Sequence, residues 1–448
     1  MIRSSPIRSG LGVILAIILL GGCASTFEQR EVDNKPVPID RPNIEIAESQ
    51  LLGVRIHPFD PGEIPKEKDE TLGLSMDIRN IEGYYLATQL KNTSQQSGYW
   101  GPVRVVPAAF SGGELVVNGR ILESDGEILR VAINVRDATG SLWFAKVYEN
   151  VVDTEAYDQS ESGIEAFRYL YNSIANDMAI HRRNLAQKDV ETIRQVAELK
   201  FAEDLAPEAF RGYLLKEEPK TETNSFLQFV NPGTIEPPER NQVYRVARLP
   251  ANDDSMLKRI RRIRVREESL VDTFDLQYEK LSWNIGESYA QWRISRLNEM
   301  NAVREREKKR DEKIGQSIAL GVLGIAVGVL VAAAGGSNCY SCASAGGAIA
   351  GSATNVAFQM AVKAADDAEA DTEIHKAALE ELGQSLAADV ELTVVQVKGE
   401  TIELRGTAEA KFREWRKILR QIYEREVGPI QPIDPKIGFP SEEGAFRM

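Results

Sequence analysis

At 448 residues the chain is too long for one small core, and the usual domain size of about 100–200 residues predicts two or three domains. Its 43% hydrophobic and 27% charged residues exclude disorder along the whole length. A formal net charge of −13 argues against a general nucleic-acid binder, because phosphate recognition rests on Lys and Arg neutralising the backbone. Three cysteines, Cys23, Cys339 and Cys342, are too few for a disulfide-built fold. The three histidines, His57, His181 and His375, stand far apart with no Cys or His at ligand spacing, so no metal site is expected.

Residues 1–22 carry Arg3 and Arg8, then an apolar run over 11–20. That run is too short to span a bilayer and fits a cleaved export signal. It ends in Leu20-Gly21-Gly22-Cys23, which resembles the lipobox of bacterial lipoproteins. An ordinary signal cut after Ala24 or Ser25 is the alternative reading. The resemblance implies that Cys23 carries a diacylglycerol and an N-linked acyl chain such as palmitate; no other cofactor is expected. Each buried CH₂ contributes about 0.8 kcal/mol, so several chains on one cysteine hold a protein at a membrane. Ala24, rather than Asp, after the cysteine implies sorting to the outer membrane of a Gram-negative host, facing the periplasm. Residues 23–43 are polar and proline-bearing, as a flexible tether should be.

Residues 44–153 predict a small α+β domain. A strand over 52–59 precedes a helix over 81–97, which Gly98 stops, and short strands follow at 103–107 and 114–118. Two β-rich runs then flank Asp125-Gly126, the strongest short-range hairpin signal, and a turn at Ala138-Thr139-Gly140 leads to a third antiparallel strand over 142–148. This order, with Val117-Asn118-Gly119-Arg120-Ile121 before a strand over 131–137, resembles the α/β domain of the Tol-system translocation protein and of periplasmic lipoproteins such as the curli secretion channel. Those domains bind other envelope proteins, so the resemblance implies a recognition module whose partner the sequence leaves unnamed.

Residues 154–215 follow a helical period, with Phe167, Leu170, Ile174 and Met178, then Ile193, Val196, Ala197 and Leu205 before Pro207. His181 reads as a solvated turn end. Residues 216–252, with Pro219, Pro232, Pro237 and Pro238, read as a linker. A long helix or helix pair is expected over 253–313, started by Asp253, Asp254 and Ser255 as caps. Trp283 and Trp292 are expected in its core or at a helix interface. The basic cluster Lys258, Arg259, Arg261, Arg262, Arg264 and Arg266 reads as a solvated face. Lys308, Lys309, Arg310 and Lys313 stand beside the next segment, where lipid phosphates are the functional alternative.

That segment, 314–362, has no charged residue. Gly321, Gly324, Gly328, Ala332 and Gly336, then Gly347 and Gly351, place small side chains on one helix face, so another backbone can approach closely. It resembles the glycine-zipper hairpins of bacterial envelope proteins. Two uses stay open, insertion in lipid from the periplasmic side and burial in a homo-oligomer. Cys339 and Cys342 lie at the expected tip as a disulfide or two buried thiols. Residues 363–428 then predict a helix, a strand pair and a closing helix, and 429–448 a polar tail.

The fold class expected is therefore α+β and multidomain: the small N-terminal domain, a long helical region with the glycine-zipper hairpin, and a C-terminal α-β-β-α unit. No nucleophile, phosphate-loop or dinucleotide motif stands in its required strand–helix context, so no catalytic residue is assigned and no enzyme is expected. Two functions remain: a lipid-anchored scaffold, partner-binding or assembly factor of the cell envelope, and a subunit of an oligomeric envelope pore or transport complex built through the glycine faces.

Overall fold

The computed structural model describes residues 35–64, 75–160, 165–217, 242–251, 253–334, 377, 393–397 and 400–427. Its central strand is Val54–Ile56 (β1), three residues all buried, Arg55 included. It pairs in parallel on both sides, with Val103–Val105 (β2) and with Leu115–Ser124 (β3). A parallel neighbour requires a crossover, and Met76–Ser97 (α1) supplies it between β1 and β2. The helix begins at Met76 rather than 81 because the Ser75 hydroxyl accepts the Asp77 N–H at 3.2 Å; Gly98, at φ 77°, ends it as expected.

The first strand is shorter than the predicted 52–59. After His57 the pairing with β3 breaks, the Phe59 N–H turning to the Gly83 carbonyl at 3.0 Å, before Asp60 rejoins β3 through a bridge to Arg120. Two glycines permit this. A Cβ on Gly83 would lie 2.2 Å from the Phe59 carbonyl oxygen, and one on Gly119 would lie 2.5 Å from the Phe59 ring.

Ile128–Asp137 (β4) and Leu142–Val151 (β5) complete a sheet ordered β2-β1-β3-β4-β5, in which the last three strands form the antiparallel meander expected at one edge. In the first turn, Asp125 Oδ1 accepts the N–H groups of Glu127 (3.1 Å) and Ile128 (2.9 Å), and Gly126 adopts φ 91°. Along β3, Leu115, Val117 and Ile121 are buried while the intervening Val116 and Asn118 are not, the alternation of a sheet with two different faces. In β5, Arg136 faces Leu142 and Val135 faces Phe144, which leaves Trp143 as the extra residue of a bulge.

Thr154–Ser160 (α2), Arg168–Asn184 (α3), Gln187–Leu205 (α4) and Pro207–Phe210 (α5) follow. The predicted apolar positions are buried: Phe167, Leu170, Ile174 and Met178 on and before α3, and Ile193, Val196, Ala197 and Leu205 on α4. His181 stands in the last turn of α3, half-buried rather than fully solvated. Its ring stacks on Trp143 at 5.8 Å, because the bulge turns the indole toward α3. The expected linker carries two short strands, Leu214–Glu217 (β6) and Val243–Val246 (β7), paired antiparallel; the prolines between them lie outside the described residues.

Of the expected long helix or helix pair over 253–313, the single helix forms, as Ser255–Ala334 (α6), and it runs past the expected end. Asp254 Oδ1 caps it, accepting the N–H groups of Met256 (2.8 Å) and Leu257 (2.9 Å). Leu257, Ile260, Ile263, Leu270, Phe274, Ile285, Tyr289 and Trp292 form its buried stripe. Trp283 departs from expectation at 86% exposed. It precedes Trp292 by two and a half turns, so the two indoles leave opposite faces. The basic cluster is ion-paired rather than merely solvated: Arg261 meets Glu198 at 2.5 Å and Arg266 meets Glu426 at 3.6 Å.

Thr393–Val397 (β8) and Glu400–Leu404 (β9) form the predicted hairpin, and Ala408–Val427 (α7) closes it with Phe412, Trp415, Leu419, Ile422 and Tyr423 buried. Apart from residue 377, the helix expected over 363–388 lies outside the described residues. The chain divides into two units, Met1–Val32 with Glu299–Ser344, and Asp33–Asn298 with Ala345–Met448. In the first unit the described part is helical, and Lys309 there pairs with Glu305 at 2.8 Å. All the packing that follows belongs to the second.

Candidate functional site

A sheet's outer strand presents unpaired main-chain groups, and at β2 a helix answers them. On α6, Glu268, Asp272, Asp275 and Glu279 succeed one another at steps of four, three and four, which sets them along one line. Arg55 and Arg104 bond Glu268, Arg104 also bonds Asp272, and Lys91 bonds Asp275 and Glu279 at 2.6 Å each. Asp275 Oδ1 accepts the Val105 N–H at 2.8 Å, the bond another strand would have made. Burial raises the Asp275 carboxyl above its ordinary range, against the pull of Lys91, and burial lowers the Arg55 guanidinium.

Farther along α6, Arg293 is 1% exposed and bonds Glu165 through both of its terminal nitrogens, at 2.8 and 3.2 Å. The Tyr85 hydroxyl donates to the same carboxylate at 2.6 Å. The rings of Tyr289 (4.4 Å), Phe167 (5.3 Å), Tyr85 (5.7 Å) and Tyr157 (5.7 Å) surround the guanidinium. Burial alone would raise the Glu165 carboxyl; the charge and bonds of Arg293 outweigh it and hold the pKa below the ordinary value.

The opposite edge, β5, is bare. Among the described residues, no backbone hydrogen bond joins Leu142–Glu149 to any element but β4. Lys146 and Tyr148 turn to α3, each bonding Asp177 at 2.7 Å, while Val147 is 38% exposed and Glu149 pairs with Arg130 at 2.5 Å.

A cavity of about 1060 Å³ opens beside the sheet. His57 lines it from just past β1, Val116 and Asn118 from β3, Lys200 and Asp204 from α4, Glu267 from α6, and Phe412, Arg416 and Arg420 from α7. His57 is held at both ring nitrogens, by Asn118 Oδ1 at 2.8 Å and by the Phe110 carbonyl at 3.0 Å. Arg416 bridges Glu267 and Asp204, and Arg420 meets Asp204 at 3.7 Å. Burial, with the Glu268 charge beside it, pushes the Glu267 carboxyl up to about 8, while burial and the neighbouring Arg420 lower Arg416 to about 10. Burial also lowers Lys200 to about 8. The arrangement suits a ligand that combines charge with an apolar body.

Of the residues singled out from the sequence, Gly321, Gly324, Gly328 and Ala332 fall within α6. Cys23, Gly336, Cys339, Cys342, Gly347 and Gly351 lie outside the described residues. Among the described residues no helix is long and apolar enough to cross a membrane, and no group of three or more His, Cys, Asp or Glu could hold a metal ion. Sequence reasoning missed the cavity. A signal was there: Glu267 interrupts the inward stripe between Ile263 and Leu270, Arg416 follows Phe412 by one turn, and Lys200 follows Val196 by one turn. No protein-family model, curated protein or solved structure matches the chain.

Proposed function

We propose that this protein is a lipid-anchored, non-enzymatic component of the bacterial outer membrane that faces the periplasm and binds an envelope protein as a scaffold or assembly factor. Acylated Cys23 and the apolar hairpin over 314–362 are its anchors. The bare part of the β5 edge is the observation that carries the partner-binding part of this reading: residues 142–149, which among the described residues make backbone hydrogen bonds to β4 alone, accept an extended segment of another protein by main-chain bonding. Val147 supplies an apolar contact and Glu149 a charged one beside that edge.

The test places a photo-crosslinking amino acid at Val147 and, as a control, at exposed Trp283, in cells making the full chain with Cys23 or with Cys23→Ser. The expected result is one membrane-fraction adduct from position 147, absent from 283. It should weaken when Cys23→Ser removes the acyl anchor. Equal labelling from both positions, or none from 147, overturns the reading.

A further inference from the structure

Lys200 is half-buried in the cavity wall, and its ammonium has little to satisfy it. Its Nζ lies 3.4 Å from the Ala138 carbonyl oxygen and 4.2 Å from the centre of the Tyr244 ring. Among the described residues it has no carboxylate within ion-pair distance. The carboxylates around it are engaged elsewhere. Asp137 accepts from Trp143 Nε1 at 2.9 Å and from the Thr139 N–H at 2.8 Å, Asp204 holds Arg416 and Arg420, and Glu203 meets Lys216 at 3.5 Å. Asp137, without a direct bond to it, attracts the Lys200 charge; Lys216 repels it, and Arg136 lines the same space. A buried amine that must either give up its proton or find an anion, with a second cation beside it, is the electrostatic form of an anion site. The walls beyond, Phe110, Phe201 and Phe412, leave room for an organic body.

We infer that this cavity binds an oxyanion-bearing small molecule, with Lys200 as the group that meets the oxyanion and Lys216 as its support. Phosphate and carboxylate share the chemistry, and the experiment separates them. The affinity of the mature full-length chain for inorganic phosphate and for succinate is measured by calorimetry. In parallel, the rate of acetylation of each lysine by limiting N-hydroxysuccinimidyl acetate at pH 8 is read by peptide mass spectrometry, with and without each anion. Lys200 should react faster than the exposed lysines, since less of its amine is protonated at that pH, and a saturating anion should slow it at least fivefold while leaving Lys188 and Lys280 unchanged. Protection by phosphate alone assigns a phosphate ligand; protection by succinate alone assigns a carboxylate.

Lys200→Met should weaken the protecting anion at least tenfold, Lys200→Arg should retain most of the affinity, and Lys216→Met should weaken it severalfold. Labelling of the unaltered protein decides the matter if Lys200→Met fails to fold. Lys200 labelling that neither anion slows, or an affinity that Lys200→Met leaves unchanged, overturns the inference.

Discussion

At one edge of the five-stranded sheet the N–H of Val105 ends on the carboxylate of Asp275; at the other, among the described residues, Leu142–Glu149 makes backbone hydrogen bonds to β4 alone. The covered edge is short, three residues in β2: Gln95 of α1 accepts the Val103 N–H at 3.2 Å and Asp275 of α6 the Val105 N–H, with Glu268, Asp272 and Glu279 paired to Arg55, Arg104 and Lys91 alongside. The open edge, residues 142–149, carries a bulge at Trp143 and a charged pair at Glu149. Bulges and charges are how an uncovered strand resists indiscriminate pairing. The contrast shows that this fold can close an edge ionically, and it makes the bareness of β5 a property of that strand rather than of the architecture.

The largest way to break the contrast is at the far end of the covering helix. Arg293→Met leaves Glu165 buried without its cation and is expected to lower unfolding stability by about 3–5 kcal/mol, read by urea denaturation. Adding Glu165→Gln should restore much of the loss. Asp275→Ala strips Val105 of its acceptor and Lys91 of a partner, for an expected loss of about 1–3 kcal/mol, with faster amide hydrogen exchange at Val105 as its local signature.

Protons act on the same side of the sheet. Glu267 has a carboxyl raised to about 8 in the fold, so the unfolded chain releases that proton first. Its contribution to stability is full below the ordinary value of 4.5 and is lost as pH rises through about 8. Denaturation midpoints measured from pH 5 to 8 should therefore fall, and Glu267→Gln should flatten the slope.

Two smaller changes sharpen the other edge. Along an antiparallel strand the N–H groups alternate between the two sides, so of Ala145→Pro and Lys146→Pro one removes a bond to β4 and the other an outward N–H. The less destabilising of the two should be the one that abolishes the adduct formed from position 147. Val147→Lys should move stability by no more than about 0.5 kcal/mol, as a surface change, yet cut the yield of partner recovered by chemical crosslinking.

How much of this was legible depended on distance along the chain. The β3-β4-β5 meander could be read because Asp125-Gly126 and Thr139-Gly140 fix its turns locally and the strands alternate between them. The placement of β1 between two parallel partners could not, since no local turn joins parallel strands. The β6–β7 pair hid behind a proline-rich interval. Glu268, Asp272, Asp275 and Glu279 look like any solvated helix face until Arg55, Arg104 and Lys91 are brought beside them. The cavity was harder still, since it draws on His57, β3, α4, α6 and α7 at once. Trp283 was legible too, because its half-turn offset from Trp292 can be counted from the sequence.

The bond from Val105 to Asp275 also sets an order in time, because 170 residues separate its two ends. A chain delivered N-terminus first can pair β2 with β1 long before the covering carboxylates arrive, and at a synthesis rate of about 5–20 residues per second the delay is roughly 10–30 s. For that interval the newborn sheet has two bare edges, and a chaperone or a neighbouring copy meets a different molecule from the finished one.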